Sequence, residues 1–488
     1  MDKTPEKSPI AQKEEEILKF WRENKIFEKS LKKASPKGEF VFYDGPPFAT
    51  GLPHYGHILA STIKDVIPRF KTMQGYHVPR KWGWDCHGLP IENIVEKELN
   101  LKAKKEIVDF GIDKFNEEAR KIVLRYANEW REQIPRFGRW VDMDNDYRTM
   151  DASYTESVWW AFKTLHEKGL VYEGFKSMHL CPRCETTLSN FEVAQGYKDI
   201  TDISVYAKFE LVDEPGTFML AWTTTPWTLP GNVALAVNQE ILYATVERQN
   251  EAGKLEKFII AKERVEKFII AKERVEKLFG KEGYKIISSC SGKELVGKSY
   301  KPVFNYYEND SKLKNKENAW KIYGADFVTT TDGSGIVHIA PAFGSDDYEL
   351  SKKEKLPFIQ HVDISGKFKP EVTDFSGQSV KPKDDHQKGD VEIIKYLARK
   401  GLLFSKEKII HSYPHCWRCD TPLLNYATSS WFVKVSSIRN RLSKENDKIK
   451  WIPEEVGKYR FGNWLKDAKD WAVSRSRFWG APIPVWKC

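Results

Sequence analysis

The chain has 488 residues, of which 41% are hydrophobic and 30% are charged, with a formal net charge of +9 at pH 7. This length exceeds what one hydrophobic core usually serves, so we expect two or three domains. No apolar run approaches the roughly 20 residues that a membrane helix needs, and the first residues lack the apolar core of a secretory signal. We therefore exclude a membrane protein and favour the cytoplasm, while the mild positive charge is compatible with a polyanionic partner without requiring one.

Helix and strand patterns alternate in the first third of the chain. Apolar residues at helical spacing predict an amphipathic helix over 11–33. A short strand is predicted over Phe40–Tyr43, where a Gly-Pro-Pro turn ends it. Helical patterns return over 56–73 and from about 92 to 136. The stretch HYGH at 54–57 therefore lies at a strand–loop–helix junction.

The pattern changes between about 199 and 402, where short β-type runs are separated by turns. This pattern of short strands and turns predicts an inserted, β-rich domain. Inside it, residues 257–266 recur identically as 267–276. Such a tandem copy is too short for a solenoid repeat, whose period is about 20–50 residues. We expect one copy to be surplus to the fold and to loop out or lengthen a helix.

Seven cysteines, an odd count in a chain without a secretory signal, argue against a disulfide framework. Four of them form two Cys-x-x-Cys pairs at the two ends of the β-rich insertion: Cys181, Cys184, Cys416 and Cys419. Four thiolates from two turns supply the tetrahedral ligand set of a structural zinc ion. Four buried or redox-active cysteines are the alternative, and His411 or His415 could replace a ligand.

The two histidines of the HYGH stretch suggest a phosphate site. A helix N-terminus offers unpaired N–H groups and a partial positive charge, which together bind phosphate. His54 and His57, three residues apart in the first helical turn, can both face that point, and Gly56 between them allows a nucleotide to approach closely. Binding of developing phosphate charge is the role that such a group supports. An ordinary helix cap with two surface histidines is the alternative.

Two stretches closely resemble the class I aminoacyl-tRNA synthetases of the isoleucine, leucine and valine subgroup: YDGPPFATGLPHYGHILAS and GWDCHGLPIE. The resemblance extends from about residue 40 to the end of the chain and is greatest to the isoleucyl enzymes. It implies an aminoacyl-tRNA ligase that uses ATP with Mg²⁺, L-isoleucine and the isoleucine tRNA. A valyl relative and a non-catalytic, zinc-containing tRNA-binding protein are the alternatives.

The resemblance assigns roles around the first motif. It implies that ATP is bound by Gly45, Pro46, His54, Gly56 and His57, of which His54 and His57 are the catalytic residues. Pro46 and Asp85 would bind the amino acid, with Asp85 taking the α-ammonium group. Independently of the family, a bound amino acid brings a cation that needs a fixed anion. A turn-capping role is the alternative for Asp85.

The resemblance also implies a hydrolytic editing site inside the insertion. Isoleucyl enzymes are the well-known case in which one missing methylene gives only about 1–3 kcal/mol of discrimination, so that mischarged valine must be hydrolysed at a second site. The implied editing residues are Thr223, Thr224, Thr225, Trp227, Asn232, His338 and Asp347. The threonines would line the pocket, His338 would contact substrate near the ester, and Asp347 would hold the α-ammonium group. Otherwise they are ordinary strand threonines, a buried histidine and a helix cap.

The expected fold class is α/β: an incomplete Rossmann-like, doubly wound parallel sheet with ATP over the carboxyl ends of its strands, a β-rich editing insertion and a zinc-stapled stem. The predicted boundaries are 1–39 for an N-terminal helical extension, 40–175 for the first half of the catalytic domain, 176–198 and 403–425 for the stem, 199–402 for the editing domain and 426–488 for the start of the second half. The family's Lys-Met-Ser-Lys-Ser signature does not occur in this sequence. We therefore expect an N-terminal part of a longer, monomeric enzyme that activates isoleucine poorly by itself.

Overall fold

A computed structural model describes residues 7–48, 50–101, 104–249, 253–264 and 284–486. The backbone divides into two compact units: unit 1 comprises Met1–Val171 and Arg477–Cys488, and unit 2 comprises Tyr172–Ser476. The second copy of the tandem repeat, 267–276, lies outside the described residues, so its surplus role stays a prediction. The finer domain boundaries stay predictions as well.

Unit 1 is largely helical. Its helices are α1 Pro9–Glu23, α2 Ile26–Lys32, α3 Tyr55–Met73, α4 Leu89–Glu98, α5 Lys104–Phe110, α6 Ile112–Ile122, α7 Ala127–Arg136 and α8 Ala152–Glu167. The predicted helix over 11–33 is therefore two helices, because Lys25 adopts a left-handed conformation with φ 49° between them. Gly111, with φ 106°, separates α5 from α6 in the same way. The helix predicted over 56–73 is confirmed.

A small parallel ladder joins these helices. Strand β1, Lys81–Trp84, pairs in parallel with β2, Asp142–Arg148. Isolated parallel bridges, Glu39 with His77 and Phe48 with Asp85, add to it. The strand predicted over Phe40–Tyr43 is not formed: only the preceding Glu39 makes a bridge, and Val41 and Tyr43 are 59% and 93% exposed. Parallel strands joined through helices confirm the α/β class for this unit.

The core of unit 1 is built around tryptophans. Trp82, Trp84 and Trp130 are almost fully buried, and their ring centroids lie 5.4–6.1 Å apart. Gly83 lies between the first two because a Cβ there would come within 2.2 Å of the Tyr147 ring on β2. This core places the start of α3 beside α7, since the Trp130 indole donates to the carbonyl of Gly51, 2.8 Å away.

Unit 2 is dominated by strands, as predicted for the insertion. They are β3 Val171–Cys181, β4 Thr186–Thr187, β5 Tyr197–Glu210, β6 Thr217–Thr223, β7 Ala234–Val237, β8 Leu242–Gln249, β9 Leu255–Ala261, β10 Tyr284–Ser291, β11 Lys321–Gly324, β12 Ile336–Ile339, β13 Leu403–Pro414, β14 Leu424–Val433 and β15 Trp471–Ala472. Its helices are α9 Asn190–Ala194, α10 Gly292–Leu295, α11 Ser345–Glu354, α12 Lys388–Arg399, α13 Arg439–Asn446 and α14 Gly462–Lys466.

Three sheets organise these strands. A six-stranded sheet has the order β10-β8-β9-β6-β5-β13, a three-stranded sheet has β11-β7-β12, and a four-stranded sheet has β15-β14-β3-β4. Strand β6 ends at Thr223 and leads into a 3₁₀ turn, Pro226–Gly231. We call this the 226–231 turn. Strands β7 and β12 pair antiparallel, which places His338 opposite Leu235.

None of the helices in the described part of the chain combines the length and the apolar character needed to cross a bilayer.

Candidate functional site

The two histidines of the first motif cap helix α3. His54 is the N-cap residue, and its Nδ1 accepts the N–H of Gly56 at 3.1 Å. The Nδ1 of His57 accepts the N–H of His54, also at 3.1 Å. Because both Nδ1 atoms accept, each neutral ring carries its proton on Nε2. The two rings, with centroids 3.8 Å apart, thus present two Nε2–H donors beside the helix N-terminus.

Helix α3 supplies the charge and the histidines supply hydrogen bonds. Partial burial, followed by the nearby His54 and Lys64, lowers the pKa of His57. The ring also packs edge-on against Trp130, with 4.9 Å between centroids. A neutral His57 donates without carrying charge, so attraction of an anion depends on the helix N-terminus. This geometry is compatible with the phosphate role predicted from the sequence.

A glycine at position 56 is also favoured by the packing of the cap, apart from any access that it gives to a nucleotide. A Cβ on Gly56 would lie 3.0 Å from Cε1 of the His54 ring. A contact this short would push the His54 ring away from its capping position. The glycine is therefore needed by the cap itself, whereas a Cβ on Gly45 would meet open space.

The predicted amino-acid residues come together on a neighbouring segment. The N–H of Asp85 donates to the carbonyl of Pro47 at 2.9 Å, which places Asp85 next to the segment that contains Pro46. Burial raises the pKa of Asp85, while hydrogen bonds from the His87 and Cys86 N–H groups and from Thr149 oppose the rise. A partly buried carboxylate beside a rigid Pro-Pro segment has the chemistry needed to hold an ammonium group.

A buried carboxylate that the sequence analysis missed connects the end of the described chain to this region. Oε1 of Glu92, in the first turn of α4, accepts the N–H groups of Phe478 and Trp479 at 2.7 and 2.8 Å. The indole of Trp479 donates to the carbonyl of Cys86 at 2.5 Å. Glu92 looks like an ordinary helix-start glutamate in the sequence, and its partners lie almost 400 residues away. No local signal could have identified it.

The four cysteines of the two Cys-x-x-Cys pairs form one cluster. Their sulfur atoms all lie within 4.8 Å of one another, and Sγ of Cys419 is 3.4 Å from Cys181 and 3.7 Å from Cys184. Four sulfurs about 2.3 Å from a tetrahedral zinc ion lie about 3.8 Å apart. The arrangement therefore fits a metal of that size.

Local backbone geometry makes the two halves of the cluster alike. The residue after the second cysteine is left-handed in both turns, with φ 46° for Glu185 and 63° for Asp420. Hydrogen bonds from Cys181 and Cys184 lower the pKa of Cys419 well below its usual range, which favours a thiolate. The two histidines considered as substitute ligands bond elsewhere: His411 to Asp202 at 3.0 Å and His415 to the carbonyl of Tyr413 at 3.0 Å.

The predicted editing residues converge around the 226–231 turn. Oγ1 of Thr223 is 3.3 Å from Oγ1 of Thr225, and it also accepts the Thr225 N–H at 3.1 Å. Thr224 lies between them and is only partly buried. The hydroxyl of Thr228, which sequence reasoning missed, joins this group to the buried His338, whose Nε2 lies 2.8 Å away. The threonine run thus leads to His338 through Thr228.

His338 is buried and neutral. Burial lowers its pKa to about 4, so near pH 7 it is an uncharged hydrogen-bonding group. Its Nδ1 lies 3.4 Å from the side-chain nitrogen of Asn232. Asn232 is in turn fixed by the Tyr300 hydroxyl, which donates to its Oδ1 at 2.6 Å. Asn232 therefore shapes the site by holding His338.

Asp347 lies at the start of α11. Its Oδ2 accepts the N–H of Ala340, just after β12, at 2.8 Å. Burial raises its pKa to about 7. Gly344 leaves room for this carboxyl, because a Cβ there would come within 2.5 Å of it. A partly buried carboxyl with one oxygen bonded to the backbone is suited to an incoming ammonium group.

Trp227 fills the space behind the turn. Its side chain is 2% exposed and packs edge-on against Phe343, with 5.2 Å between ring centroids. The backbone of Trp227 bonds to two residues that the sequence analysis did not single out, Asp390 and His361. Neither belongs to a recognisable motif, and only the fold brings them to the turn.

Comparison with known families decides the classification. The family model for class I tRNA synthetases (I, L, M and V) matches residues 16–488. The chain belongs to this family. Membership agrees with the α/β class seen in unit 1 and with the resemblance stated from the sequence.

Individual relatives carry more specific names than the family as a whole. The chain is 46% identical over 512 residues to "Isoleucine--tRNA ligase" of Treponema denticola, covering 99% of this chain and 45% of that protein. It is 48% identical to "Isoleucine--tRNA ligase 2" of Pseudomonas fluorescens, covering 97% of this chain and 43% of that protein. A solved structure described as "The crystal structure of GlLeuRS-CP1" covers 41% of this chain and 96% of its own at 14% identity, with a TM-score of 0.30. The chain spans less than half the length of these two curated relatives.

Proposed function

We propose that this chain carries the nucleotide-binding and editing parts of an isoleucine–tRNA ligase. In the complete reaction, ATP activates isoleucine to isoleucyl-adenylate, and the isoleucyl group passes to the isoleucine tRNA. Valine attached wrongly to that tRNA is hydrolysed. Relatives named for this activity align with nearly the whole chain, which supports the substrate assignment. Cytoplasmic location and a monomeric state belong to the same proposal.

One observation carries the editing part of the proposal. Four residues form a continuous, mostly buried hydrogen-bonded group: Thr223, Thr225, Thr228 and His338. His338 is neutral near pH 7, and it would meet the ester as an uncharged group by exchanging its bond to Thr228 or Asn232 for one to the substrate. Asp347 lies beyond the end of the same strand, β12, and supplies a carboxyl for the free α-ammonium group. These are the groups needed to bind a short aminoacyl ester and position a water molecule.

For the synthetic part, we propose that Mg²⁺–ATP binds at the start of α3. Its phosphates would accept hydrogen bonds from Nε2 of His54 and His57. Gly45 and Pro46 would lie along the nucleotide, and Asp85 would take the α-ammonium group of isoleucine. Because the family's lysine signature does not occur in this sequence, we expect isoleucine-dependent pyrophosphate exchange by this chain to be far slower than by a complete enzyme.

We propose zinc as the metal of the four-cysteine cluster. Its role would be to fasten the turn after β3 to the turn between β13 and β14. All-sulfur tetrahedral sites of this kind are structural, because no coordination position stays open for a substrate.

The deciding experiment is deacylation of valyl-tRNA and isoleucyl-tRNA, both prepared on the isoleucine tRNA. Hydrolysis at the editing site needs neither ATP nor the lysine signature, so this chain should release valine selectively. Asp347→Ala should weaken or relax that selectivity. Equal release of both amino acids, or preferential release of isoleucine, would contradict the proposal. Threonyl-tRNA prepared on the valine tRNA is a third substrate, and release confined to it would indicate the valyl relative instead.

A further inference from the structure

Both backbone polar groups of Trp227 are held by side chains from distant parts of the chain. The N–H of Trp227 donates to Oδ1 of Asp390 at 3.0 Å, and its carbonyl accepts from Nε2 of His361 at 2.9 Å. All three residues are at most 2% exposed. Buried backbone groups need partners, but in most loops the backbone or water supplies them. In the 226–231 turn, two ionisable side chains do so.

Asp390 lies within ion-pair distance of a buried lysine. Nζ of Lys381 lies 3.5 Å from Oδ2 of Asp390 and 3.0 Å from both carboxylate oxygens of Asp202. The side chain of Lys381 has no exposure to solvent. Buried charges are costly to desolvate, and apolar residues of similar volume often replace them without loss of stability. Stability alone therefore does not explain why these buried charges are present. Their effect on the orientation of Asp390 does.

His361 touches both ends of the turn. Besides its bond to Trp227, it packs under Gly231, where a Cβ would come within 2.3 Å of its Nδ1. A histidine seated this closely leaves the turn little freedom to shift. Thr228, the residue after Trp227, is the one whose hydroxyl meets His338 at 2.8 Å. A displaced Trp227 peptide would therefore displace Thr228 from His338.

We propose that Asp390 and His361 are positioning residues for the editing reaction, which hold the 226–231 turn so that Thr228 meets His338. Lys381 and Asp202 keep the carboxylate of Asp390 directed at the Trp227 N–H. Neither positioning residue lies among the groups that we expect to touch the ester. This inference rests on the editing activity proposed above, and it assigns a role to a buried charged group that the reaction itself does not use.

The test separates hydrogen bonding from charge. Asp390→Asn keeps an oxygen acceptor for the Trp227 N–H, whereas Asp390→Ala removes it. Glu392→Gln is the matched control, because it removes the same charge from the same helix, where Glu392 pairs with Lys395 on the outer face. We would measure kcat and KM for valyl-tRNA deacylation, hydrogen exchange of the peptide over 224–231, and thermal unfolding.

We expect Asp390→Ala to lower kcat about 10- to 100-fold with KM within about twofold, because small misplacements of a reacting group cost rates of this order. Amide exchange in 224–231 should rise at least about tenfold, since the Trp227 N–H loses its acceptor. Asp390→Asn should stay within about threefold of wild type in kcat. Glu392→Gln should behave as wild type in every measurement.

Two results would overturn the proposal. Equal losses in Asp390→Asn and Asp390→Ala would mean that the charge matters and the bond to Trp227 does not. Unchanged kcat and unchanged exchange in Asp390→Ala would mean that the turn needs no such support. If Asp390→Ala fails to fold, the pair His361→Gln and His361→Leu tests the other side of the turn, since only glutamine keeps an N–H donor. If the wild-type chain does not hydrolyse valyl-tRNA, the proposed function fails, whereas the exchange measurements still test whether Asp390 holds the turn.

Discussion

The chain contains two histidine sites that are built in opposite ways. In unit 1, His54 and His57 lie near the surface, and their rings are bonded to the backbone of their own helix turn. In unit 2, His338 is enclosed and bonded to side chains more than 100 residues away, Thr228 and Asn232. The first design suits a large polyanion that arrives from solvent. The second suits a small ester from which excess water is excluded.

The surroundings of the two sites also differ in their exposure to solvent. The outer face of α3 keeps Leu59, Ile63, Val66 and Phe70 more than half exposed, whereas every residue of the 226–231 turn is buried. A substitution at the start of α3 therefore disturbs few neighbours. A substitution at the turn leaves buried groups unpaired, which costs more. Substitutions can test this contrast, and they can also test the cysteine cluster, which lies in unit 2 together with the buried site.

The largest effect is expected at the cysteine cluster. Cys181→Ser should abolish zinc binding and destabilise unit 2 by several kcal/mol, because structural zinc contributes about 10–16 kcal/mol in small zinc peptides. Cys290→Ser, at a partly buried cysteine outside the cluster, is the control and should retain the metal. Metal content by mass spectrometry and thermal unfolding provide the measurement. A Cys181→Ser protein with one bound zinc and an unchanged melting temperature would refute the assignment.

A pH-dependent effect is expected at Asp347. Burial raises the pKa of this carboxyl in the folded protein to about 7, whereas an unfolded aspartate titrates near about 3.9. The unfolded chain thus ionises first, so this group costs stability progressively as the pH rises from about 4 to 7 and by a constant amount above. Asp347→Asn removes that cost and keeps an acceptor for the Ala340 N–H. It should gain up to a few kcal/mol at pH 8, since each pKa unit corresponds to about 1.4 kcal/mol.

Melting temperatures of wild type and Asp347→Asn at pH 4.5 and pH 8 would check this result. The gap between the two proteins should shrink to about a quarter at the lower pH. A gap of the same size at both values would contradict a raised pKa. Deacylation of valyl-tRNA by Asp347→Asn should fall despite the higher stability, because the substituted amide carries no charge for the ammonium group.

An intermediate effect is expected at Thr228. Thr228→Val leaves Nε2 of the buried His338 without its partner, which should cost about 1–3 kcal/mol in stability. Deacylation should fall as well, since His338 loses its orientation. Thr228→Ser keeps the hydroxyl and should retain most of both properties. Chemical denaturation with deacylation rates measures the two effects, and equal behaviour of Val and Ser variants would exclude the bond to His338.

A small stability effect with a large binding effect is expected at His54. Aspartate is a good N-cap residue, so His54→Asp should change the unfolding free energy by less than about 1 kcal/mol. Its negative charge should nevertheless weaken ATP binding at least about tenfold through repulsion of phosphate. His54→Asn keeps both a cap and a neutral donor and should bind more tightly than the aspartate variant. Calorimetric titration with Mg²⁺–ATP would compare them, and equal affinities would remove the phosphates from this helix end.

The smallest effect is expected at Gly56. Alanine favours a helix by about 1 kcal/mol over glycine, but its Cβ would crowd the His54 ring. We expect these contributions to offset each other to within about 1 kcal/mol in unfolding free energy, while capping by His54 weakens. A clear stabilisation of Gly56→Ala without any loss of ATP affinity would show that the ring is free to move aside.

Local sequence patterns were sufficient to predict some parts of the fold and of the candidate sites, and insufficient for others. Helix α3 and its capping histidines could be predicted because the capping hydrogen bonds lie within four residues of one another. The two Cys-x-x-Cys pairs were informative because few other uses bring such pairs to both ends of an insertion. Trp227 and Asn232 are predicted as site residues by resemblance alone, since nothing in the neighbouring sequence indicates their partners.

The failures have physical causes. The break at Lys25 depends on one left-handed residue, a conformation that a lysine rarely adopts. The strand predicted over Phe40–Tyr43 had the right residue types but lacks a neighbouring strand along its length. Asp390 and His361 contact Trp227 from more than 130 positions along the chain. Lys381 acts through its charge beside Asp390. The secondary-structure propensity of a residue carries no information about such contacts.

The attachment of Phe478 and Trp479 to Glu92 has a consequence for synthesis. Unit 1 is interrupted by Tyr172–Ser476, so α4 leaves the ribosome long before Phe478 and Trp479, which bond to its Glu92. At about 5–20 residues per second, the interval is on the order of 15–60 s. During that time the carboxylate of Glu92 and the carbonyl of Cys86 have no final partners. A nascent chain stalled in this interval should bind chaperones through α4, and emergence of Phe478 and Trp479 should end that binding.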